Sequence, residues 1–181
     1  MPRFIALLRG INVGGRRKVP MADLRALCTA AGFADPCTYI QSGNVVFVAS
    51  GKAAALEREL EQALAQRFGF EVDVVVRGAK QWQTLLRSNP FLDAAQKAPN
   101  HLLVGLSKRP LRSDVVESLQ PKTSVGEQVA AAGGALWIHC AHGIADSKLT
   151  APSIDRAAGS AVTARNWRTV LALASMADVT A

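Results

Sequence analysis

Apolar residues along the chain fall into short blocks of two periods. "RFIALL" (3–8) is a short apolar strand, and Pro20 followed by "MADLRALCTAAG" predicts a helix that starts beside the proline and stops at Gly32. "CTYI" and "VVFV" about "QSGN" predict a hairpin with its turn at Ser42-Gly43-Asn44. From 52 to 68, Leu56, Leu60, Ala63 and Leu64 recur at helical spacing, with Glu57, Arg58 and Glu61 on the other faces of an amphipathic surface helix. "VDVVV" is then a strand, and "AKQWQTLLRS" a helix ended by Asn89-Pro90. The order is β-α-β-β-α-β-α.

The second half follows the same order. "HLLVGL" is a strand, "PLRSDVVESL" a helix, "EQVAA" and "ALWIHC" a hairpin about Gly133-Gly134, residues 150–158 a helix, "SAVT" a strand and "RNWRTVLALASMA" the last helix. Self-comparison points to duplication: Lys18-Val19-Pro20-Met21 returns 90 residues on as Lys108-Arg109-Pro110-Leu111, Gly43 returns as Gly133, and "KQWQTLL" (80–86) matches "RNWRTVL" (165–171). The expected fold class is therefore α+β, an internal duplication of a βαββαβ ferredoxin-like unit, each copy followed by an extra helix. The expected division is 1–95 and 96–181, packed as one compact unit. In such a unit the loop after the first strand and the hairpin turn share one end of the sheet, so residues 9–18 should face Gln41, Ser42 and Asn44. The loops after the third and fourth strands share the opposite end, which in the second half pairs Ser147 and Lys148 with Thr163, Arg165 and Asn166.

Composition narrows the class. Of 181 residues 49% are hydrophobic, which excludes a disordered chain. The five apolar residues before Arg9 are too few for a signal-peptide core and no stretch approaches a membrane span, so a cytoplasmic protein with no membrane partner is expected. Cys28, Cys37 and Cys140 have no C-x-x-C spacing and read as free thiols. The formal charge of +7 gathers at the start, where Arg3, Arg9, Arg16, Arg17, Lys18 and Arg25 face only Asp23 in the first 25 residues.

That basic opening, "LLRGINVGGRRKVPM", carries the candidate chemistry. Gly10 and Gly15 have P-loop spacing, but Arg16 and Arg17 stand where Lys and Ser/Thr are needed, and the helix begins late. G-x-G-x-x-G spacing is absent too. Two readings stay open: an anion site built from exposed backbone N–H groups with Arg9, Arg16, Arg17 and Lys18, and a tight solvated basic turn. In "WIHCAH", alternation along a strand puts Ile138 and Cys140 on one face and His139 on the other; with only Asp146 as a nearby carboxylate, no metal set forms. Ser147-Lys148 lacks the S-x-x-K spacing of a Ser/Lys dyad. Thr150 and Thr163 read as helix N-caps, Arg165 and Arg168 as one face of the last helix, and Trp167, Val170, Leu171 and Ala174 as its core stripe. Base stacking on the sheet, as in RRM modules, has only Phe4 and Phe47 to use, so nucleic acid would bind through phosphate contacts alone.

"ALLRGINVGG" with "KVPM", "TYIQSGNVVF", "NPF" (89–91), "SKLT" (147–150) and "TARNWRTV" (163–170) together resemble the bacterial family called domain of unknown function 1697 over nearly the whole chain. The resemblance implies an α+β fold and little chemistry. Its motif falls on Arg9, Asn12, Gly14, Gly15, Lys18, Gln41, Ser42, Asn44, Ser147, Lys148, Arg165 and Asn166. The chain departs from the family pattern at Arg16-Arg17 and at "WIHCAH", which makes those positions poor choices for a shared function. The expected function is binding of an anionic small molecule, a nucleotide or phosphorylated metabolite, in a polar cleft where the two residue groups meet, with no cofactor and no metal. The alternatives are an enzyme using Ser42 or Ser147 as nucleophile, a hydrolase or transferase without a paired base, and a basic nucleic-acid-associated protein.

Overall fold

The computed structural model describes residues 1–123, 126–143 and 147–181, so Asp146 lies outside the described residues. Its elements are β1 (Arg3–Leu8), α1 (Met21–Ala30), β2 (Ala34–Tyr39), β3 (Asn44–Val48), α2 (Ala53–Phe68), β4 (Val74–Gly78), α3 (Ala79–Arg87), α4 (Leu92–Lys97), β5 (Leu102–Ser107), α5 (Val115–Leu119), β6 (Glu127–Ala132), β7 (Ala135–Cys140), α6 (Ala151–Ala158), β8 (Val162–Asn166) and α7 (Trp167–Met176), with a short 3-10 turn at Gln120–Lys122. The protein is α+β, with two four-stranded antiparallel sheets of strand order β2-β3-β1-β4 and β6-β7-β5-β8. Among the described residues no helix is long and apolar enough to cross a membrane.

The chain divides into two compact units, Met1–Trp82 with Leu173–Thr180, and Gln83–Ala172 with Ala181. The boundary between these units falls inside α3. Arg3 ties residues 173–180 to the first unit: its guanidinium lies 3.0 Å from the Asp178 carboxylate and donates to Met176 O at 3.2 Å.

In the first unit, Phe4, Ala6 and Leu8 alternate onto one face of the sheet and pack with Val45, Phe47, Val74 and Val76 under Leu24 and Cys28 of α1 and Leu56, Leu60 and Leu64 of α2. Ile5, Leu7, Val46 and Val75 are buried as well, which is why β1 is an unbroken apolar run. Phe33, Phe47 and Phe4 stack inside this core, with Phe33 and Phe47 centroids 4.5 Å apart. Rings so buried are closed to nucleobases. Glu57 is buried rather than on a solvent face. Its Oε1 accepts the Val76 N–H at 2.9 Å and lies 3.5 Å from Arg77 Nη1, and Glu61, one turn on, accepts the Val74 N–H at 2.8 Å. Both carboxylates thus satisfy the outer N–H groups of edge strand β4. Arg77 has its pKa lowered by burial, an effect the Glu57 charge opposes.

The second unit packs Leu136, Ile138 and Cys140 of β7 with Val115, Leu119, Ala157, Ala158 and Val162. His139 lies on the other face, as strand alternation requires, and on that face Trp137 and Trp167 meet at 5.4 Å. Three local expectations are corrected. Asn44 opens β3 instead of closing the turn, since it pairs with Tyr39. Thr163 and Arg165 lie in β8, opposite Leu106 and Val104, because the strand continues through "TARN"; neither starts nor lies on the helix. Leu171 is 45% exposed, and Leu173 takes its place in the core.

Cys28 is wholly buried, and desolvation raises its pKa from 9.0 to about 12; Cys140 is buried and also raised, first by desolvation and then by Glu127, while Cys37 is exposed on β2. A thiol whose folded pKa exceeds its unfolded value contributes stability that is intact below pH 9.0 and declines as pH rises towards 12. Ellman's reagent at pH 8 is expected to label Cys37 fast in the native protein, and Cys28 and Cys140 only after urea is added.

Candidate functional site

The basic opening folds into a small finger. After β1 the chain turns at Gly10 (φ 64°), and Ile11 returns to the core at 2% exposure. The Asn12 N–H then donates to Arg17 O and the Arg16 N–H to Val13 O, both at 3.1 Å, with Val13 and Arg16 forming a β-bridge. Gly14 (φ 58°) and Gly15 (φ 73°) are both left-handed, as a two-residue primed hairpin turn demands. A nest of N–H groups around an anion alternates right- and left-handed residues, so this glycine pair is a hairpin tip. Helix α1 begins only at Met21, six residues beyond Gly15, and aims no N-terminus at the glycines.

A single side chain fixes the finger's base. Asn12 Nδ2 donates to Val19 O at 2.9 Å and to Gln41 O at 2.8 Å, while Oδ1 accepts the Val19 N–H at 2.8 Å. At about 1 kcal/mol for each bond this amide contributes a few kcal/mol of local order. The Leu8 N–H donates to Gly43 O at 2.8 Å, and the buried Asn44 amide donates to Tyr39 O at 2.9 Å and to Ser42 Oγ at 3.1 Å. Residues 9–18 therefore do meet the 41–44 turn, as topology predicted. Asn12 and Asn44 are positioning groups whose amides are committed to the protein itself. Ile40, at φ 49° and 50% exposed, is strained for a β-branched residue, and the strain sits in this same turn.

The cations divide into two kinds. Arg17 folds back: its guanidinium lies 5.3 Å from the Phe70 ring centroid and Nη2 donates to Glu71 O. Arg9 is partly buried, and its N–H donates to Asp73 O at 2.9 Å. Arg16 and Lys18 are exposed, and their side chains bond to no described residue. Gln41 and Ser42 are exposed beside the finger's base. Arg16 is the residue the motif reading set aside; the signal for it was two glycines flanked by Val13 and Arg16, the signature of a hairpin that presents its flanking residues.

The second group of candidates is differently employed. Asn166 caps α7, its Oδ1 accepting the Thr169 N–H at 2.9 Å, so the cap lies three residues after Thr163. Thr150 does occupy the N-cap position of α6, but without a side-chain cap bond. Ser147 Oγ accepts the Leu149 N–H at 3.2 Å, which makes it a local turn, and Lys148 is exposed. The loop after β7 and the β8–α7 junction leave the sheet at the Leu102 end, as expected, yet no hydrogen bond or ion pair joins Ser147 or Lys148 to Arg165 or Asn166 among the described residues. Arg165 is half-buried in β8; burial lowers its pKa to about 10, so it stays charged at neutral pH, and Nη1 donates to Ala164 O at 2.9 Å. No three His, Cys, Asp or Glu side chains gather as a metal set among the described residues.

An α+β protein of two four-stranded antiparallel sheets, with a clamped basic finger at one end of the first, is thus defined. The family model described as Protein of unknown function (DUF1697) matches residues 1–137, and the chain belongs to that family. The match takes in the finger, the 41–44 turn and "NPF". Among solved structures, the chain is similar to that of a conserved bacterial protein, SP0830 from Streptococcus pneumoniae, at TM-score 0.73 and 23% identity over 98% of this chain and 99% of that one, a likeness of fold. No curated protein matches the chain.

Proposed function

We propose that the protein binds an anionic small molecule, a nucleotide or other phosphorylated metabolite, at the finger end of the first unit. The observation that carries this reading is the Asn12 clamp: it holds Arg16 and Lys18, exposed and uncommitted, on a stiff hairpin beside Gln41 and Ser42. Each charge-assisted bond to a phosphate oxygen contributes about 1.5–3 kcal/mol, and a preorganised finger loses little entropy in forming it. The backbone-cradle version has less support, since the glycines form the tip. The proposed site is confined to the first unit, because Asn166 and Ser147 are committed to local turns and caps. The enzyme alternative has least support: Ser42 Oγ accepts from the Asn44 amide, which is no base.

A thermal-shift screen of nucleotides and phosphorylated metabolites tests the reading. A ligand at 100 times its Kd stabilises by about 2.7 kcal/mol, a rise of several degrees, and the double substitution Arg16→Gln with Lys18→Gln is expected to abolish it. A screen in which no anion shifts the melting temperature overturns the proposal. The exposure of both cations on a projecting finger also favours a second reading, contact with nucleic-acid phosphates; binding would then weaken with salt, and the double substitution would lower the log–log slope by about 2.

We also infer that the two units are copies of one ferredoxin-like βαββαβ unit. The shared strand order supports it, and so does a shared device, since Asp155 of α6 accepts the Val162 N–H at 2.9 Å just as Glu61 of α2 serves Val74. Strand register aligns Arg77 with Arg165, each opposite the third residue of its central strand. Trp82 then stands five residues past Arg77 but Trp167 only two past Arg165, so "KQWQTLL" and "RNWRTVL" are out of step by three residues and do not support the duplication.

A further inference from the structure

Each sheet has two edges, and three of the four are closed. On β2, Pro36 has no N–H to offer, and Asp35 (φ 50°) sits in the irregularity between Ala34 and Cys37. Glu57 and Glu61 cover β4, and Asp155 covers β8. Strand β6 opens on the buried Glu127, and beyond that residue it has no such device among the described residues. "QVAAA" (128–132) holds neither charge nor proline, and its ladder with β7 runs from Glu127↔Cys140 to Ala132↔Ala135 without a bulge.

The tight turn at Gly133 (φ 59°) and Gly134 (φ 76°) makes Ala132 and Ala135 a hydrogen-bonded pair. By alternation Ala130 and Gln128 also bond to β7, so the N–H and C=O of Val129 and Ala131 point away from the sheet. Those outward groups have no partner among the described residues. An unbulged edge whose outward groups lack partners among the described residues is a template for another strand.

Beside that edge is a pocket of about 320 Å3 lined by Phe91, Leu92, Gln128 and His139 among others. Gln128 and His139 are cross-strand partners, with His139 Nδ1 and Gln128 Oε1 3.2 Å apart, so the pocket lies on the sheet face that Gln128 and Ala130 share. The Phe91 ring centroid is 6.0 Å from that of His139, and Asn89 Oδ1, accepting the Phe91 N–H at 2.8 Å, fixes the chain that brings the ring there. Leu92 is 66% exposed. "NPF", which the proposed anion site leaves unused, builds one wall of this pocket.

We propose that β6 accepts an extended peptide as a fifth strand, and that the pocket takes one large apolar or aromatic side chain of that peptide. Main-chain bonds to Val129 and Ala131 supply affinity, and the pocket, one register position from the edge, supplies choice. A second copy of this chain pairing through its own β6 is the weaker occupant. On the pocket face it would present only Gln128, Ala130 and Ala132, none of which is a large apolar side chain.

The test pans a phage-displayed library of random nine-residue peptides on the full-length protein, followed by NMR titration with a synthetic peptide of the enriched sequence. Enriched peptides are expected to carry Phe, Trp, Leu or Ile at one fixed position, and titration to shift the Val129 and Ala131 amides first. Ala131→Pro, which removes an outward N–H, and Phe91→Ala, which removes a pocket wall, should each weaken binding at least tenfold. Phe91→Ala should leave unchanged the binding of a twin peptide with Ala at the fixed position, and it carries the test by itself if Ala131→Pro does not fold. No enrichment, shifts centred elsewhere, or equal loss for both peptides overturns the proposal. So does a dimer in sedimentation that protects the Val129 and Ala131 amides from exchange.

Discussion

Gly43→Ala is expected to lower the stability of the protein by about 3 kcal/mol, with contributions of roughly 1–2 from the left-handed backbone and 1–3 from overpacking. The residue has φ 80°, and a Cβ there would stand 2.6 Å from Ile11 Cδ1 and 2.8 Å from Leu8 Cβ. Neither neighbour has room to give, because Ile11 and Leu8 are both in the core. The collision falls where the 41–44 turn meets the finger, and the Gly43 carbonyl is the acceptor for Leu8. Gly14→Ala is the control: it shares the left-handed conformation (φ 58°) but meets nothing within 4 Å, so it should lose only about 1 kcal/mol. Urea denaturation of the two variants measures the difference, and equal midpoints would mean that close packing of the turn on Ile11 is absent in solution.

Glu57→Ala is expected to cost about 3 kcal/mol, because truncation takes a charge partner from Arg77 and an acceptor from Val76 together. Arg77 loses the carboxylate 3.5 Å away in a site where both side chains are under 20% exposed, and Val76 loses the acceptor of its N–H. Removing one member of a buried pair typically costs about 3–5 kcal/mol, most of it the uncompensated partner charge. Glu57→Gln keeps an acceptor for Val76 and loses only the charge, so it should fall between wild type and Glu57→Ala. The Val76 amide should exchange faster in Glu57→Ala than in Glu57→Gln. Added salt should change the wild-type stability little, since a buried pair is weakly screened. A loss under about 0.5 kcal/mol for Glu57→Ala would show that the edge of β4 is held by other groups.

Most elements were legible because local physics decides them. The blocks at "RFIALL", at 52–68 and at the Gly133-Gly134 hairpin have one dominant period each, and the structure places them within two residues of expectation. Helix α4 escaped notice because it has six residues, too few for a period to show. The expected helix over 110–119 shrinks to five residues, since "PLRSD" is occupied by a bidentate Arg112–Asp114 pair at 2.9 Å that holds the segment as a turn. Glu57 was misplaced for a different reason: a carboxylate at helical spacing looks like a solvent-facing group until an edge strand with unpaired N–H groups is laid beside it.

The sequence by itself determined the order of the eight strands and of every helix but α4, and through antiparallel topology the meeting of residues 9–18 with the 41–44 turn. Both follow from periodicity and from which ends of a sheet successive loops must share, and these are properties of short segments. It could not distinguish a phosphate cradle from a basic hairpin in "GINVGGRRK", because glycine permits both and the choice rests on where Asn12, Val13, Arg16 and Arg17 find hydrogen-bond partners. Nor could it say which cations were committed. Arg17 and Arg16 are adjacent, chemically identical and both exposed, yet one is folded onto Phe70 and Glu71 while the other's side chain bonds to no described residue. Only the tertiary structure decided this, since Phe70 and Glu71 lie more than fifty residues away along the chain and reach Arg17 through the pairing of β1 with β4.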